Sequence, residues 1–413
     1  MFVSSLTLKI LAKEFDDAEL ILLHHLLQPF WSELVSGEGY DNVDVIITKA
    51  VEPIAVSKPQ IVIPAVRCDN ESGKGQPCIP GNGIVSVPCD IVDICAKKFE
   101  SVLNPKVSFK YSFSTKMPFN YNIIPSSVRS RMLRMFKKSQ IDFDFLEHLN
   151  VENARKLLVQ SFEMLERPLE RKYPPSLLVT HDVETEKGLN RAISMKGIED
   201  ELDLHSTWFI VSDEYPIRNE IVRELTNGSE IGSHDIRHDG RLIHIHDFED
   251  LVRRLKVSKS RLEGISGKRV VSFRSPLLQF NKRIISALEA AGYMNDFSLP
   301  CWESVHPSTM SGFGIEAVYP ISLGRIVEHP LTLYQDHQLL NVRGMKTHQA
   351  NKFLIEQSHV VLSFGGDIVL LIHPDYAYSQ DLDSYRSLLT SLIELQQEAS
   401  ATSHLTTAGA VQA

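Results

Sequence analysis

Apolar and polar residues are laid out along this chain in blocks, and the grammar of the blocks changes near residue 177. From there, short apolar runs alternate with segments of helical period. LLVTHDVE is followed by a helical stretch around MKGIEDEL, then STWFIVSD, a helix around RNEIVRELTNG, and SEIGSHD. DFEDLVRRLKVSKSRLEG sets Phe248, Leu251, Leu255, Ser258 and Leu262 on one helical face, with Asp247 placed to cap it and Gly264 to end it. RVVSFRSP, a helix over KRIISALEAAG and, much later, DIVLLIHPD complete the series. Strands alternating with helices predict an α/β fold around a mostly parallel sheet, open or closed into a barrel.

Before this series the pattern is mixed. VDVIITKA and IVIPAV read as buried strands, DNESGKGQPCIPGNG (69–83) as a loop, and IVDICAKKFESVL (91–103) as an amphipathic helix. A linker is expected around ENARKLLVQSFEMLERPLE, where the prolines of RKYPPS exclude helix. The expected organisation is therefore an accessory α/β domain over 1–170, a second domain over 171–396 and a disordered tail over 397–413, small and polar in composition.

Composition narrows the class. The chain has 413 residues, 43% hydrophobic and 23% charged, which is ordinary for a protein with a large core. A net charge of −9 speaks against nucleic acid as a partner. The basic stretch SSVRSRMLRMFKKS (126–139) could rest on an anionic membrane surface, or pack Met132, Leu133, Met135 and Phe136 on its own domain; the second is expected. No apolar run reaches the roughly 18 residues of a membrane span. Five cysteines, an odd number without CxxC spacing, read as reduced thiols. With no basic n-region or small-residue cleavage site in MFVSSLTLKILAKEFDD, a cytoplasmic location is expected.

Four strand ends carry polar groups that strands do not need: Asp182 and Glu184; His234 and His238; Arg274; and His373. Residues at i and i+2 of an extended segment project to one side, so Asp182 and Glu184 share a face. In parallel α/β folds the carboxyl ends of strands open onto loops, and groups distant in sequence converge there. Two imidazoles and a carboxylate make a three-ligand zinc site with an open position, and zinc lowers the pKa of water to roughly 7. Taken singly, each piece has an ordinary explanation. His-x-x-x-His arises by chance in a chain with 16 histidines, Asp-x-Glu caps turns, Arg274 before Pro276 suits a surface salt bridge, and His373 suits a core. It is their co-occurrence at successive strand ends that points to a site.

That order resembles the polysaccharide deacetylases, the NodB-homology or carbohydrate esterase family four proteins, over 177–375. THDVE stands where the family has Thr-Phe-Asp-Asp-Gly, STWFIV echoes its Ala-Thr-Phe-Phe strand, and NGSEIGSHDIRH matches its Gly-x-Glu-Ile-Gly-x-His-x-x-x-His element. FRSP matches its Arg-x-Pro, AGYMNDFS its Gly-Tyr and Asp, and LLIHPD its Leu-x-x-His ending. The resemblance implies a distorted (β/α) barrel with fewer than eight strands and one divalent ion, zinc by preference. It implies Asp182 as general base, His234 and His238 as metal ligands, and Arg274 orienting the base. It also implies His373 as general acid, Asp296 tuning that histidine, and the Leu277 backbone N–H at the oxyanion. The implied reaction is hydrolysis of an acetyl group from an N-acetylated, or O-acetylated, sugar or polysaccharide precursor.

The match has two departures. The second acid lies one residue late, with Val183 between, so Glu184 is expected as the third ligand; the alternative gives that place to Asp182 and leaves Glu184 as a loop cap. Leu277 stands where many members carry tyrosine, which removes a sugar-stacking ring; Trp208 and Trp302 are the candidates to replace it. Two other functions stay open on the sequence: a carbohydrate-binding descendant without catalysis, and a metal hydrolase of a non-carbohydrate C–N bond.

Overall fold

The computed structural model describes residues 7–35, 39–50, 53–54, 56–64, 76–81, 83–105, 149–302 and 314–409. The basic stretch 126–139 lies outside them. The chain divides into two compact units that part between Pro174 and Pro175, inside RKYPPS.

The first unit is built on six strands: β1 (Leu8–Lys13), β2 (Ser32–Val35), β3 (Val45–Thr48), β4 (Gln60–Val62), β5 (Cys78–Gly81) and β6 (Ile84–Ser86). Their order is β2-β1-β3-β4-β6-β5, all parallel except the β5/β6 pair. Its helices are α1 (Asp17–Leu27), α2 (Ile91–Leu103) and α3 (Asn150–Met164). Two expectations need correction here. The end of the supposed loop 69–83 is β5, and Pro80 is tolerated because β5 is an edge strand that can spare an N–H. The supposed linker contains α3, whose Val151, Ala154, Leu157, Leu158 and Phe162 are buried at helical spacing, the mark of a packed helix. Cys89 is disulfide-bonded, so the thiols are not all reduced; Cys78 is free and exposed.

The second unit holds the alternating series: β7 (Leu177–Val183), α4 (Glu186–Glu201), β8 (Thr207–Ile210), α5 (Asn219–Leu225), β9 (Glu230–Ser233), α6 (Phe248–Ser266), β10 (Ser272–Phe273), α7 (Lys282–Ala290) and β11 (Asn295–Asp296). There follow β12 (Ile321–Leu323), β13 (Ile326–Glu328), α8 (Thr347–Ser363), β14 (Ile368–Ile372) and α9 (Leu382–Gly409). Strand order is β12-β13-β11-β10-β9-β8-β7-β14, parallel but for the β12/β13 pair. The ladder itself is open, and an irregular seam curls it toward closure. The chain leaving β13 runs beside the extension of β11, with the His329 and Leu331 N–H groups donating to Asp296 O and Leu299 O, both at 2.8 Å. It then reaches β14, where Leu333 N–H donates to Val369 O at 3.2 Å. Thr332 completes the seam: its hydroxyl donates to Asp367 O and accepts from Val369 N–H, each at 2.7 Å. The result is the expected α/β architecture, an eight-stranded sheet curled into a distorted, incompletely closed barrel.

Strand alternation decides what faces inward. Phe209, Leu278, Phe297, Leu331, Val369 and Leu371 form one buried cluster, with Leu178 packed against it. Each such side chain contributes on the order of 1.5–3 kcal/mol through burial. Continuing by twos from Leu178 gives Thr180, Asp182 and Glu184; from Val369 and Leu371 it gives His373. The apolar filling thus ends, at the carboxyl ends of β7 and β14, in polar groups.

Two end-points differ from expectation. Gly264 lies inside α6, and the helix stops at Gly267, whose left-handed φ of 69° lets its N–H close on Glu263 O. The tail expected to be disordered from 397 continues as α9 through Gly409, anchored where the Gln396 and Ser400 side chains donate to Pro175 O at 2.8 and 3.4 Å. Among the described residues no helix is long and apolar enough to cross a membrane.

Candidate metal-binding and catalytic site

Asp182 ends β7, 3% exposed. Arg274, directly after β10, donates from Nη1 to Asp182 Oδ1 at 3.0 Å and from Nε to Phe297 O at 2.9 Å. Its guanidinium lies over the Phe209 ring at 4.5 Å. Asp182 Oδ2 is left facing two imidazoles, His234 Nε2 at 3.8 Å and His373 Nε2 at 3.9 Å. Burial alone would raise the Asp182 pKa, but His234, Arg274 and His373 outweigh it and hold the carboxyl below its ordinary range.

His234 follows β9, and its Nδ1–H donates to Arg274 O at 2.8 Å. The carbonyl can only accept, so the proton is on Nδ1 and Nε2 offers its lone pair, as a metal-ligating imidazole does. That Nε2 has no hydrogen-bond partner although the residue is 1% exposed. Burial lowers the His234 pKa to about 4, so the ring is neutral. Glu184, His234 and His238 bring ligand atoms within 4.8 Å of one another. A buried imidazole nitrogen with nothing to bond, in reach of a second imidazole and a carboxylate, is the donor set a divalent ion requires. His238 Nε2 lies 3.1 Å from Glu184 Oε1. Burial opposes its charge, but Glu184 pushes the pKa up to about 9 and is itself held far below the usual carboxylate range.

His373 follows β14, its Nε2 3.7 Å from Glu184 Oε1. Its other nitrogen meets Asp336 Oδ1 at 2.6 Å, while its backbone N–H donates to Asp336 Oδ2 at 3.0 Å. Burial works against the imidazolium, but Asp336, Glu184 and Asp182 together push its pKa up to about 10. Asp296 was expected in this place. It is fully buried at the end of β11, accepting from Ser298 Oγ at 2.5 Å and Phe297 N–H at 3.0 Å. It sits opposite Glu328 in the ladder, and burial raises the pKa of both, Asp296 to about 6. The carboxyl in contact with His373 is therefore that of Asp336, in place of the expected Asp296.

Leu277 is half-buried in the turn Pro276–Leu278 with φ 58°, and Leu278 follows at φ 51°. Left-handed conformations cost a branched side chain roughly 1–2 kcal/mol, and such strain is retained where surrounding structure imposes it. Trp208 is fully buried against His181 with ring centroids at 3.9 Å, so it is core. Trp302 is 8% exposed and stacks on Tyr334 at 4.7 Å.

Three contributors had no separate signal in the sequence reading. Asp336 is a lone acid in YQDH. Glu214 accepts the His238 backbone N–H at 2.6 Å. Asp375 accepts the Glu184 N–H at 3.2 Å and the Thr185 hydroxyl, steadying the loop after β7. Asp375 could have been noticed two residues past His373, within LIHPD.

Residues 188–295 match the family model described as polysaccharide deacetylase. That span holds His234, His238 and Arg274, and ends before Asp296 and His373. No curated protein matches the chain. Among solved structures, the chain is similar to an assigned polysaccharide deacetylase from Mycobacterium smegmatis, with a TM-score of 0.43, 19% identity, and coverage of 55% of this chain and 86% of that one. It is similar to the chitin deacetylase of Colletotrichum lindemuthianum, with a TM-score of 0.38, 15% identity and coverage of 55% and 84%. It is also similar to a family 4 carbohydrate esterase pseudoenzyme from Bacillus anthracis, with a TM-score of 0.35, 14% identity and coverage of 56% and 66%. Chemistry does not follow from structural likeness at that level. Residues 188–295, in a unit whose strand ends carry the matching motifs, therefore match the polysaccharide deacetylase family, and the rest of the chain lies outside that match.

Proposed function

We propose that the chain is a zinc-dependent deacetylase that hydrolyses the N-acetyl group of an amino sugar or a sugar-containing precursor. One observation carries this: Asp182, Glu184, His234, His238 and His373, delivered by three separate strands, meet within 3.9 Å between successive partners, with a lone pair on His234 Nε2 left unused. Glu184, His234 and His238 would hold the ion. When bound, zinc supplies a lowered pKa for water, roughly 7, and positive charge opposite the acyl oxygen.

The chain's own groups do the rest. Arg274 occupies one oxygen of Asp182 and fixes the carboxylate, so that Oδ2 takes the proton of the attacking water. As the water oxygen bonds to the acyl carbon, the N–H of Leu277 donates to the oxygen on which charge develops. His373, a proton donor at neutral pH because of Asp336, protonates the departing nitrogen. The C–N bond breaks, leaving acetate and an amine. A binding protein without catalysis would need neither the Arg274–Asp182 pair nor the Asp336–His373 pair, and both are buried and short.

The test is metal analysis coupled to acetate release from a panel of N-acetyl sugars. One zinc per chain is expected, with activity lost to a chelator and restored by zinc. Undiminished turnover by chelated protein would overturn the metal role, and zinc-loaded protein inert on every sugar would overturn the substrate class.

A further inference from the structure

His181 occupies the place where the resembled family has phenylalanine, and it faces away from the site. It projects to the outer side of β7, beneath α4 and α9, and is fully buried together with Glu199 and Tyr385. Its Nδ1 lies 3.1 Å from Ile372 O and its Nε2 2.8 Å from Glu199 Oε1. A carbonyl oxygen accepts only, so Nδ1 carries hydrogen. Glu199 takes the Tyr385 hydroxyl on the same oxygen and the Ser206 hydroxyl on the other, each at 2.5 Å. Burial would raise the Glu199 pKa, but His181, Ser206 and Tyr385 outweigh it and keep the carboxylate charged. Nε2 is engaged by that same carboxylate, and the Trp208 ring stacks on the imidazole at 18° from parallel. His181 is thus a strut with both ends engaged.

Its location gives the strut a use. Ile372 and His181 are partners in the last rung of the β7/β14 ladder. The next residue on each strand is His373 and Asp182, projecting to the opposite side. End rungs lack the neighbouring hydrogen bonds that hold inner rungs in place. Resting on the deacetylase function proposed above, we propose that His181 is a positioning residue: by bonding the Ile372 carbonyl it fixes the offset between base Asp182 and acid His373, while Glu199 holds the imidazole from behind.

The two bonds can be separated. In His181→Asn the side-chain amide lies near the former Nδ1 and keeps the bond to Ile372 O. In His181→Gln it reaches the former Nε2 and keeps the bond to Glu199. Both variants sacrifice one buried bond, so a purely structural role predicts equal losses in melting temperature and in turnover. Positioning predicts a split. With zinc-loaded protein and tetra-N-acetylchitotetraose, His181→Asn should stay within about threefold of wild-type kcat. His181→Gln should lose on the order of 100-fold with KM little changed, as a misplacement of about 1 Å costs in a reacting array. Equal kcat in the two variants, or wild-type kcat in His181→Gln, overturns the proposal. Amide hydrogen exchange at His373 decides independently of turnover: faster exchange in His181→Gln than in His181→Asn supports the strut, and equal exchange refutes it. If wild-type protein releases no acetate, the function proposed above falls, while the exchange comparison still tests His181.

Discussion

Both sheets gather charged groups where their parallel strands end, yet the two gatherings differ in what is left over. In the first unit Lys49, just past β3, meets Glu19 in the first turn of α1 and Asp90 Oδ2 at 2.9 Å. Asp90 also caps α2, accepting from Val92 and Asp93 N–H at 3.1 and 3.0 Å. The cation lies between two anions and their helix termini, and the charges satisfy one another. In the second unit the counterpart cluster ends with buried atoms without a partner, His234 Nε2 and Arg274 Nη2 among them. A polar group at a strand end is therefore weak evidence of chemistry. Several unpaired nitrogens gathered with carboxylates are stronger evidence, since each unpaired buried group costs about 1–3 kcal/mol. Thr48 Oγ1 at the end of β3 is also buried without a partner, but a lone hydroxyl is not a donor set for an ion.

The contrast can be broken by substitution. The largest effect is expected for Asp182→Asn, which should lower acetate release by about 10²–10⁴-fold, the usual worth of a general base, with zinc content unchanged; near-normal turnover would remove Asp182 from its role. His234→Ala should strip the ion, lowering zinc affinity by more than the roughly 10–100-fold seen when only an outer partner of a ligand is lost. Stoichiometric zinc in that variant, measured by elemental analysis, would move the centre elsewhere. A third expectation concerns pH and the first unit. Burial lowers the His25 pKa from 6.5 to about 4. The folded state resists a proton that the unfolded state accepts, so stability is full above pH 6.5 and declines as pH falls toward 4. The loss amounts to about 2–3 kcal/mol at about 1.4 kcal/mol per unit. Urea denaturation at pH 7.5 and 4.5 should show it, and His25→Phe should reduce the difference. The smallest effect is expected for Lys49→Met, costing about 1–2 kcal/mol by stranding Glu19 and Asp90 and leaving acetate release unaltered. A large drop in turnover there would erase the distinction between the two clusters.

How much of this was legible in the sequence depended on whether a residue's role is set locally. The strands ending in Asp182, His234, Arg274 and His373 could be read because each apolar run ends abruptly in a polar side chain, and the i, i+2 rule put Glu184 beside Asp182. The partner of His373 could not be read this way. Asp296 belonged to a recognisable motif, but the contact is made by Asp336, brought in after an irregular chain crosses the barrel seam, which no local period encodes. Helix ends failed for a related reason: Gly264 and Gly267 are both plausible stops, and the chain takes the one where a left-handed residue closes on Glu263. The outer face of β7 was equally hidden, since His181 reads as part of the acidic motif until Glu199 and Tyr385 are seen behind it.

Thr332 gives the seam an asymmetry. β14 is laced to β7 along its whole length, while its other flank is held by the Thr332 hydroxyl, the Leu333 amide and, just past the strand end, Asp336 on His373. A valine there would match threonine in volume and delete both hydroxyl bonds together. The wall bearing the proton donor would then be clamped along one margin and held on the other only by the Leu333 amide and by Asp336 on His373, while the wall bearing the two ligand histidines is paired with strands on both margins. Removal of that hydroxyl would therefore weaken the pocket first on the leaving-group side.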